Sequence, residues 1–285
     1  IDDLVAGARV EASDIKEDVL DFALWKKDEE FGYPSPWCKG RPGWHIECSA
    51  MSRKHLGKTI DIHAGGADLI FPHHENEMAQ SECCNNHRLA NYWVHNGMLE
   101  TKGGKMSKSL GNRQWAKDVI ALYGSNLVRW FLLSGKYRDS LIYDEETFNA
   151  AKVELGKIET ALKQAEVKSQ IAGVENHGRF DQVQYDEFLQ QMADDLNTPN
   201  AYMVIFETVK QLNQALRSRE IDYDLVFEKY NAIEKMLEIL GVFIAKTILS
   251  DEDRETYRMW NEAKAVKDFE KADQYRAKLM EKGIL

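Results

Sequence analysis

Cysteine is scarce in this chain of 285 residues, long apolar runs are missing, and positive charge is outnumbered. Four cysteines, Cys38, Cys48, Cys83 and Cys84, are too few for a disulfide scaffold at this length, so they read as reduced thiols or metal ligands. No apolar stretch approaches the ~18 to 20 residues that cross a bilayer, and the opening Ile1-Asp2-Asp3 lacks the basic-then-apolar pattern of a secretory signal. These absences predict a soluble, cytoplasmic protein with no membrane partner. An initiating Met is lacking as well, which implies either processing or a missing upstream segment. There is no internal repeat and no low-complexity tract. The spacing of a Walker loop is absent, and so is the His-Glu-x-x-His of a zinc protease. What is present suffices for a folded protein: 44% hydrophobic and 10% aromatic residues can bury a sizeable core, and the length fits one large or two ordinary domains.

The formal net charge of -10 is unevenly spread. Residues 101–140 carry eight Lys/Arg (Lys102, Lys105, Lys108, Arg113, Lys117, Arg129, Lys136, Arg138) against Asp118 and Asp139. A basic window in an acidic protein suits a polyanion such as a nucleotide or RNA, although charge alone fits a solvated face equally well. Texture changes too. Thirteen of the 18 glycines and four of the five prolines precede residue 145, where short apolar runs such as Thr59-Ile60-Asp61-Ile62 and Tyr92-Trp93-Val94 end in Gly, Asn or Asp; this is α/β punctuation. From about Glu146 the pattern turns helical. Ala201, Val204, Ile205, Thr208, Leu212, Ala215 and Leu216 share a face, with Thr198 as N-cap and Pro199 in the first turn. A further helix fits Phe227 to Phe243, with Tyr230, Ile233, Met236, Leu237 and Leu240 inward. A polar loop is expected at about 168–180, and two short charged helices follow Asp251. The boundary between the two regions falls near 144–150.

Three constellations carry chemistry. Phe71-Pro72-His73-His74-Glu75-Asn76-Glu77 reads as a helix start, with Pro72 in its first turn. His73 and Glu77 stand at i, i+4 on one face, and His74 points a quarter-turn away. Imidazole and carboxylate together are half of a zinc site, which a Cys48 thiolate would extend, although either feature alone is more often structural. Cys83-Cys84 lies in a helix with no His at useful spacing and reads as structural. Next, Lys105-Met106-Ser107-Lys108-Ser109 lies between Gly103-Gly104 and Gly111, and offers mobile cations and hydroxyls to phosphate oxygens. Last, His63-Ala64-Gly65-Gly66-Ala67-Asp68 follows the strand Thr59–Ile62, at the end of an open sheet where ligands bind. Gly65 and Gly66 would admit a nucleotide and Asp68 its ribose; a tight strand-to-helix turn is the plainer alternative.

These strings, in this order, resemble the cysteinyl-tRNA synthetase family of class I aminoacyl-tRNA synthetases. The matching runs are 21–26, Gly40 to Met51 (Gly-Arg-Pro-Gly-Trp-His-Ile-Glu-Cys-Ser-Ala-Met), His63 to Glu82, Trp93 to Asn96 and Lys105 to Asn112. Met192 to Pro199 looks like the start of a family helix after the catalytic domain. The resemblance implies an α/β fold, part of a Rossmann-type catalytic domain, followed by an all-α bundle. Residues 1–30 would close an inserted connective domain, 31–145 would be the later half of the catalytic domain, and 146–285 a helical tRNA-binding region. It further implies a Zn2+ ion held by Cys48, His73 and Glu77 that receives the substrate thiolate. Trp44 and His63 would lie beside the amino acid. Lys105 and Lys108 would act on the phosphates of ATP, with Mg2+, as cysteinyl-adenylate forms, before transfer to tRNA(Cys). Zinc would prefer a thiolate to a serine hydroxyl, which an apolar pocket rejects by only ~100-fold. A monomer is expected for the full-length form.

There are departures. The family's first nucleotide-binding half, with a further zinc-ligand Cys and a His-x-Gly-His-type motif, has no counterpart here. Ile1 to about Val19 resembles the close of the inserted domain, and Leu285 falls short of the family's usual end. Cys38 stands where the family usually has Gly. Two other readings are a ligase joining cysteine to an amino-sugar inositol in mycothiol synthesis, disfavoured by the long helical region, and a non-catalytic fragment that binds tRNA or a partner. The isolated chain is expected to hold zinc with at most three protein ligands and to be inactive in adenylation. Pyrophosphate exchange checks the latter, and turnover at the rate of an intact synthetase would refute it.

Overall fold

A computed structural model describes residues 17–18, 20–101, 104–105 and 115–285, with Gly104 and Lys105 described by backbone alone. Lys108 and the rest of the 106–114 loop lie outside the described residues. Contacts divide the chain into two compact units, residues 1–98 with 138–140, and residues 99–137 with 141–285.

In the first unit, β1 (Trp25–Lys27) pairs antiparallel with β2 (Gly40–Pro42). The loop between them turns on Asp28 Oδ1, which accepts from the amides of Glu30 and Phe31. Then come α1 (Trp44–Leu56), β3 (Ile60–Gly66), a short turn at Ala67–Leu69, α2 (Glu75–Asn85) and β4 (Ala90–Asn96). β3 and β4 are parallel, in register from Ile60 opposite Ala90 to Gly66 opposite Asn96. Parallel neighbours need a crossover, and α2 supplies it. β3 is longer than the strand expected at 59–62 and takes in His63, Gly65 and Gly66. The helix begins later than expected. Phe71 is extended (φ -128°, ψ 133°) and precedes Pro72 through a cis bond. A residue before proline is disfavoured in the α region, so the regular helix is delayed to Glu75.

The second unit contains β5 (Leu99–Thr101) and β6 (Gly104–Lys105), which pair antiparallel, then α3 (Ala116–Tyr123), α4 (Ser125–Leu132) and β7 (Leu141–Ile142), which lies parallel to β5. Six helices follow: α5 (Glu145–Ala172), α6 (Gln182–Ala193), α7 (Thr198–Arg217), α8 (Tyr223–Leu240), α9 (Asp251–Ala265) and α10 (Phe269–Glu281). Local chemistry sets their ends. α5 opens on a capping box between Asp144 and Thr147 and runs 28 residues, ~42 Å at 1.5 Å per residue. It continues to Ala172, so the connecting loop is shorter than the 168–180 expected. The N-cap of α7 is Asn197, not Thr198. The Thr198 hydroxyl is turned instead to the carbonyl of Gly135, 3.2 Å away, which leaves the Asn197 side chain to accept from the Asn200 amide. α8 starts earlier than Phe227, on the Asp222 cap, and ends before Phe243. There Gly241 takes a left-handed conformation (φ 68°) and the Arg129 guanidinium donates to the Leu240 carbonyl.

All seven residues expected on the inner face of α7 are buried. All but Thr208 join Trp130, Ile158, Leu162, Phe188, Ile233 and Met236 in one core. Trp130 stacks on Tyr202 at 3.8 Å between ring centroids, and the Tyr202 hydroxyl donates to the Trp130 carbonyl at 2.8 Å. A smaller core of Val167, Leu249, Tyr257, Leu279 and Ile284 seats α9 and α10 against the end of α5. Among the described residues, no helix is long and apolar enough to cross a membrane.

Asp181 ties two of these helices together. Its carboxylate caps α6 by accepting from the Gln184 amide and pairs with Lys229 of α8. Burial opposes its charge, but the Lys229 and amide hydrogen bonds outweigh that and hold its pKa below the ordinary 3.8. A depressed carboxylate contributes stability above its unfolded pKa that is lost as pH falls through the folded one. Asp181→Ala is therefore expected to cost ~1–2 kcal/mol at neutral pH. In urea unfolding followed by helical circular dichroism, the difference from wild type should shrink below pH 3.8. A difference independent of pH would exclude the ion pair as its source.

Candidate metal centre

The first unit is built around polar groups. Among its described residues the buried apolar side chains are Ile60, Leu89 and Ala90, whereas His45, Ser49, His73, His74, Asn76, Glu77, Ser81 and Asn85 are buried polar ones. Such groups cost free energy unless each finds a partner. Glu77, 1% exposed, is the focus.

Each element brings one side chain to it. α2 carries Glu77 one turn beyond His73, whose Nε2 lies 3.0 Å from Glu77 Oε1. β3 delivers His63, whose Nε2 is 2.5 Å from Glu77 Oε2. From the first turns of α1 comes Cys48, and one ligand atom each from Cys48, His73 and Glu77 lie within 4.8 Å of one another. The three expected metal ligands thus converge. A second group, His63, His74 and Glu77, meets the same distance condition and shares the carboxylate.

Three histidines outside the expected site complete the cluster. His45 Nδ1 is 3.0 Å from His73 Nδ1, and His74 Nδ1 is 2.8 Å from His95 Nε2. Trp44, 52% exposed, stacks on His73 with centroids 4.2 Å apart. Trp93 meets His63 edge-on at 4.7 Å. The adjacency of His45 to Trp44, and of His74 to His73, was the sequence signal available for two of the three.

Burial, aided by neighbouring charges, lowers the pKa of His45, His74 and His95 around the ligands and so favours the neutral form of each. Burial, then His63, His95 and His73, lower the pKa of His74 to about 4, against a weaker opposing pull from Glu77. His45 is lowered by burial, then by His73 and Lys26, again opposed by Glu77. Burial, His63 and Arg138 lower His95. The Cys48 thiol is pushed up by burial first, then by the charge and hydrogen bonding of Glu77 and by Glu47.

This arrangement fits a soft divalent cation. Glu77 Oε1 is buried and makes no hydrogen bond of acceptable geometry, although His73 Nε2 is close by. The Nδ1 atoms of His45 and His73 face each other, so one proton serves both. If His45 keeps that proton, His73 must carry its own on Nε2; if His73 has it, two lone pairs meet at Glu77. A cation between His73 Nε2, Glu77 Oε1 and Cys48 Sγ satisfies all three, and His45 then holds the imidazole from behind. One thiolate, one imidazole and one carboxylate form a zinc donor set.

Gly65 and Gly66 have local reasons for lacking a side chain. A Cβ on Gly65 would come within 2.7 Å of His74 Cε1, and one on Gly66 within 2.5 Å of Asp68 Oδ1. Asp68 lies in the turn after β3. Cys83 and Cys84, expected to be structural, are both exposed, near the end of α2.

Residues 1–153 match the family of tRNA synthetases class I (C) catalytic domains, and residues 187–244 match the DALR domain. Among curated relatives, the cysteine–tRNA ligases of Oceanobacillus iheyensis and Geobacillus thermodenitrificans are each 43% identical over the whole chain, which spans 63% of either relative. That of Haemophilus influenzae is 41% identical, with 62% of its length covered. Two solved structures share the fold at low identity. One is a LeuRS from Agrobacterium radiobacter K84 in a ternary complex with tRNA-LeuAMS (TM-score 0.54, 12% identity, 75% of this chain and 31% of that one). The other is a putative arginyl-tRNA synthetase from Campylobacter jejuni (TM-score 0.52, 16% identity, 73% and 53%). With the catalytic-domain match running through the βαβ unit and the ligand cluster, the chain belongs to the class I tRNA synthetases of the (C) catalytic-domain family.

Proposed function

We propose that the chain is the part of a cysteine–tRNA ligase that selects cysteine and faces the tRNA, and that Cys48, His73 and Glu77 hold Zn2+. The observation that carries this reading is the convergence of a thiol and an imidazole on a buried carboxylate oxygen that lacks a hydrogen bond. When bound, the ion supplies a soft Lewis-acid position that takes a thiolate in preference to a hydroxyl.

The chain's own residues do the rest. Trp44 forms an aromatic wall against His73 and flanks the amino acid side chain. His63 fixes the second oxygen of Glu77 and, with Trp93 beside it, lines the same pocket. Gly65, Gly66 and Asp68, at the C-terminal end of a parallel strand, receive the nucleotide. Lys105 and Lys108 neutralise phosphate charge while the cysteine carboxylate attacks the α-phosphate of ATP and pyrophosphate leaves, with Mg2+ on the phosphates. Residues 31–145 form the catalytic portion and 146–285 the helices that face tRNA(Cys), while residues up to about 30 belong to the connective insertion. The place of work is the cytoplasm and the working form is a monomer.

Cobalt(II) reports on this site because thiolate ligation gives an intense near-ultraviolet band. The chain is expected to bind one Co2+ with that band. Cys48→Ala should abolish the band, and Glu77→Gln should weaken uptake at least ~10-fold. Added L-cysteine should intensify the band and L-serine should not. Equal metal uptake by wild type and Cys48→Ala would refute the assignment.

A further inference from the structure

A groove runs between α5 and α7 in the second unit. It consists of two open hollows, of about 360 and about 350 Å³, that share Lys157, Asn213 and Arg217. Along α7 it extends from Phe206 to Arg217, ~16 Å at 1.5 Å per residue. The chain has a net charge of -10, yet among the described residues no carboxylate lines this groove, while Lys157, Lys210 and Arg217 do. Lys210 pairs with Glu207 at 3.0 Å, whereas Lys157 and Arg217 form no ion pair among the described residues. Burial first, and then the charge of Arg217, lower the pKa of Lys168, whose ammonium donates to the Leu216 carbonyl at 2.7 Å. Cations thus crowd this end of α7, and an external polyanion would relieve their repulsion.

Gly156, in the floor of the groove, points the same way. It lies inside the 28-residue α5, where glycine is destabilising relative to alanine. Packing does not require it, because a Cβ there would meet no atom within 4 Å outside the local helix backbone. The missing side chain leaves that backbone bare to whatever enters. Beside it the Thr160 hydroxyl donates to the Gly156 carbonyl at 2.7 Å, so its oxygen is left to accept from a ribose hydroxyl. We propose that this groove holds the sugar-phosphate backbone of one RNA strand. Lys157 and Arg217 meet its phosphates, Asn213 and Thr160 meet phosphate and sugar oxygens, and a ribose packs on the bare backbone at Gly156. The proposal rests on the reading that these helices face tRNA, and says where they do so. A groove of ~16 Å spans several nucleotide steps of ~3.4 Å, whereas a free phosphate fits within one hollow.

The test measures binding of the whole chain to a labelled tRNA(Cys) transcript by fluorescence anisotropy, in sodium chloride from about 50 to about 200 mM. Lys157→Gln/Arg217→Gln is expected to weaken binding about tenfold and to lower the logarithmic salt slope by about two. Gly156→Ala should weaken binding several-fold while raising the thermal midpoint by about 1–3 °C, opposite effects that damage to the fold cannot produce. Arg276→Gln/Lys278→Gln, which removes two exposed cations from α10, should bind like the unmodified chain. Equal losses in the two double variants, unchanged binding by Gly156→Ala, or competition by sodium phosphate beyond that of chloride at equal ionic strength would overturn the groove alone. A chain that binds no tRNA would overturn both the groove and the reading on which it rests.

Discussion

The carboxylate of Glu77 is buried between His73 and His63, and most of the first unit is arranged to keep it there. A buried charge without partners is costly, and removing one partner leaves that cost uncompensated. The topology brings the partners. Because β3 and β4 run parallel, α2 must cross between their ends, so its start lies beside the C-terminal half of β3, where His63 projects. α1 packs on α2 and contributes Cys48 and His45. The same parallel pair sets His95 of β4 beside His74. Few apolar side chains are buried in this unit, so its order depends on satisfying a polar cluster, and a bound cation would add its binding free energy to folding.

The second unit rests on a different balance. Its helices from α5 onward are amphipathic and every one is capped at its start by Asp, Asn or Ser, and its core is apolar apart from a few placed hydroxyls and carboxylates. Glu166, for example, accepts from the Tyr230 hydroxyl at 2.6 Å and from the Thr247 amide at 2.7 Å, which pins the segment after α8 to α5. A scaffold of this kind tolerates change on its surface.

Much of this was legible in the sequence. The i, i+4 spacing of His73 and Glu77 directly implied a shared face, and the inward face of α7 followed from its period. Cys48 could not be joined to that pair by spacing, because its position depends on how two helices pack; the family resemblance supplied it. The histidine network was missed for the same reason. His45, His74 and His95 come from three elements, and adjacency in sequence says little about which imidazoles will meet. Small boundary errors had local causes: Phe71 extended before a proline, Thr198 diverted to a carbonyl of another segment, and Gly241 ending α8. Nor could the sequence show that the space beside Gly65 is bounded by the His74 ring, which only a folded backbone reveals.

The central claim is that Cys48, His73 and Glu77 form one metal-binding set. X-ray absorption at the zinc edge of the zinc-loaded chain tests it most directly. The account predicts a first shell with a single protein sulfur together with nitrogen and oxygen scatterers, and loss of that sulfur in Cys48→Ala. A shell of nitrogen and oxygen alone in the unmodified chain would contradict it and would favour the histidine group around His63 and His74.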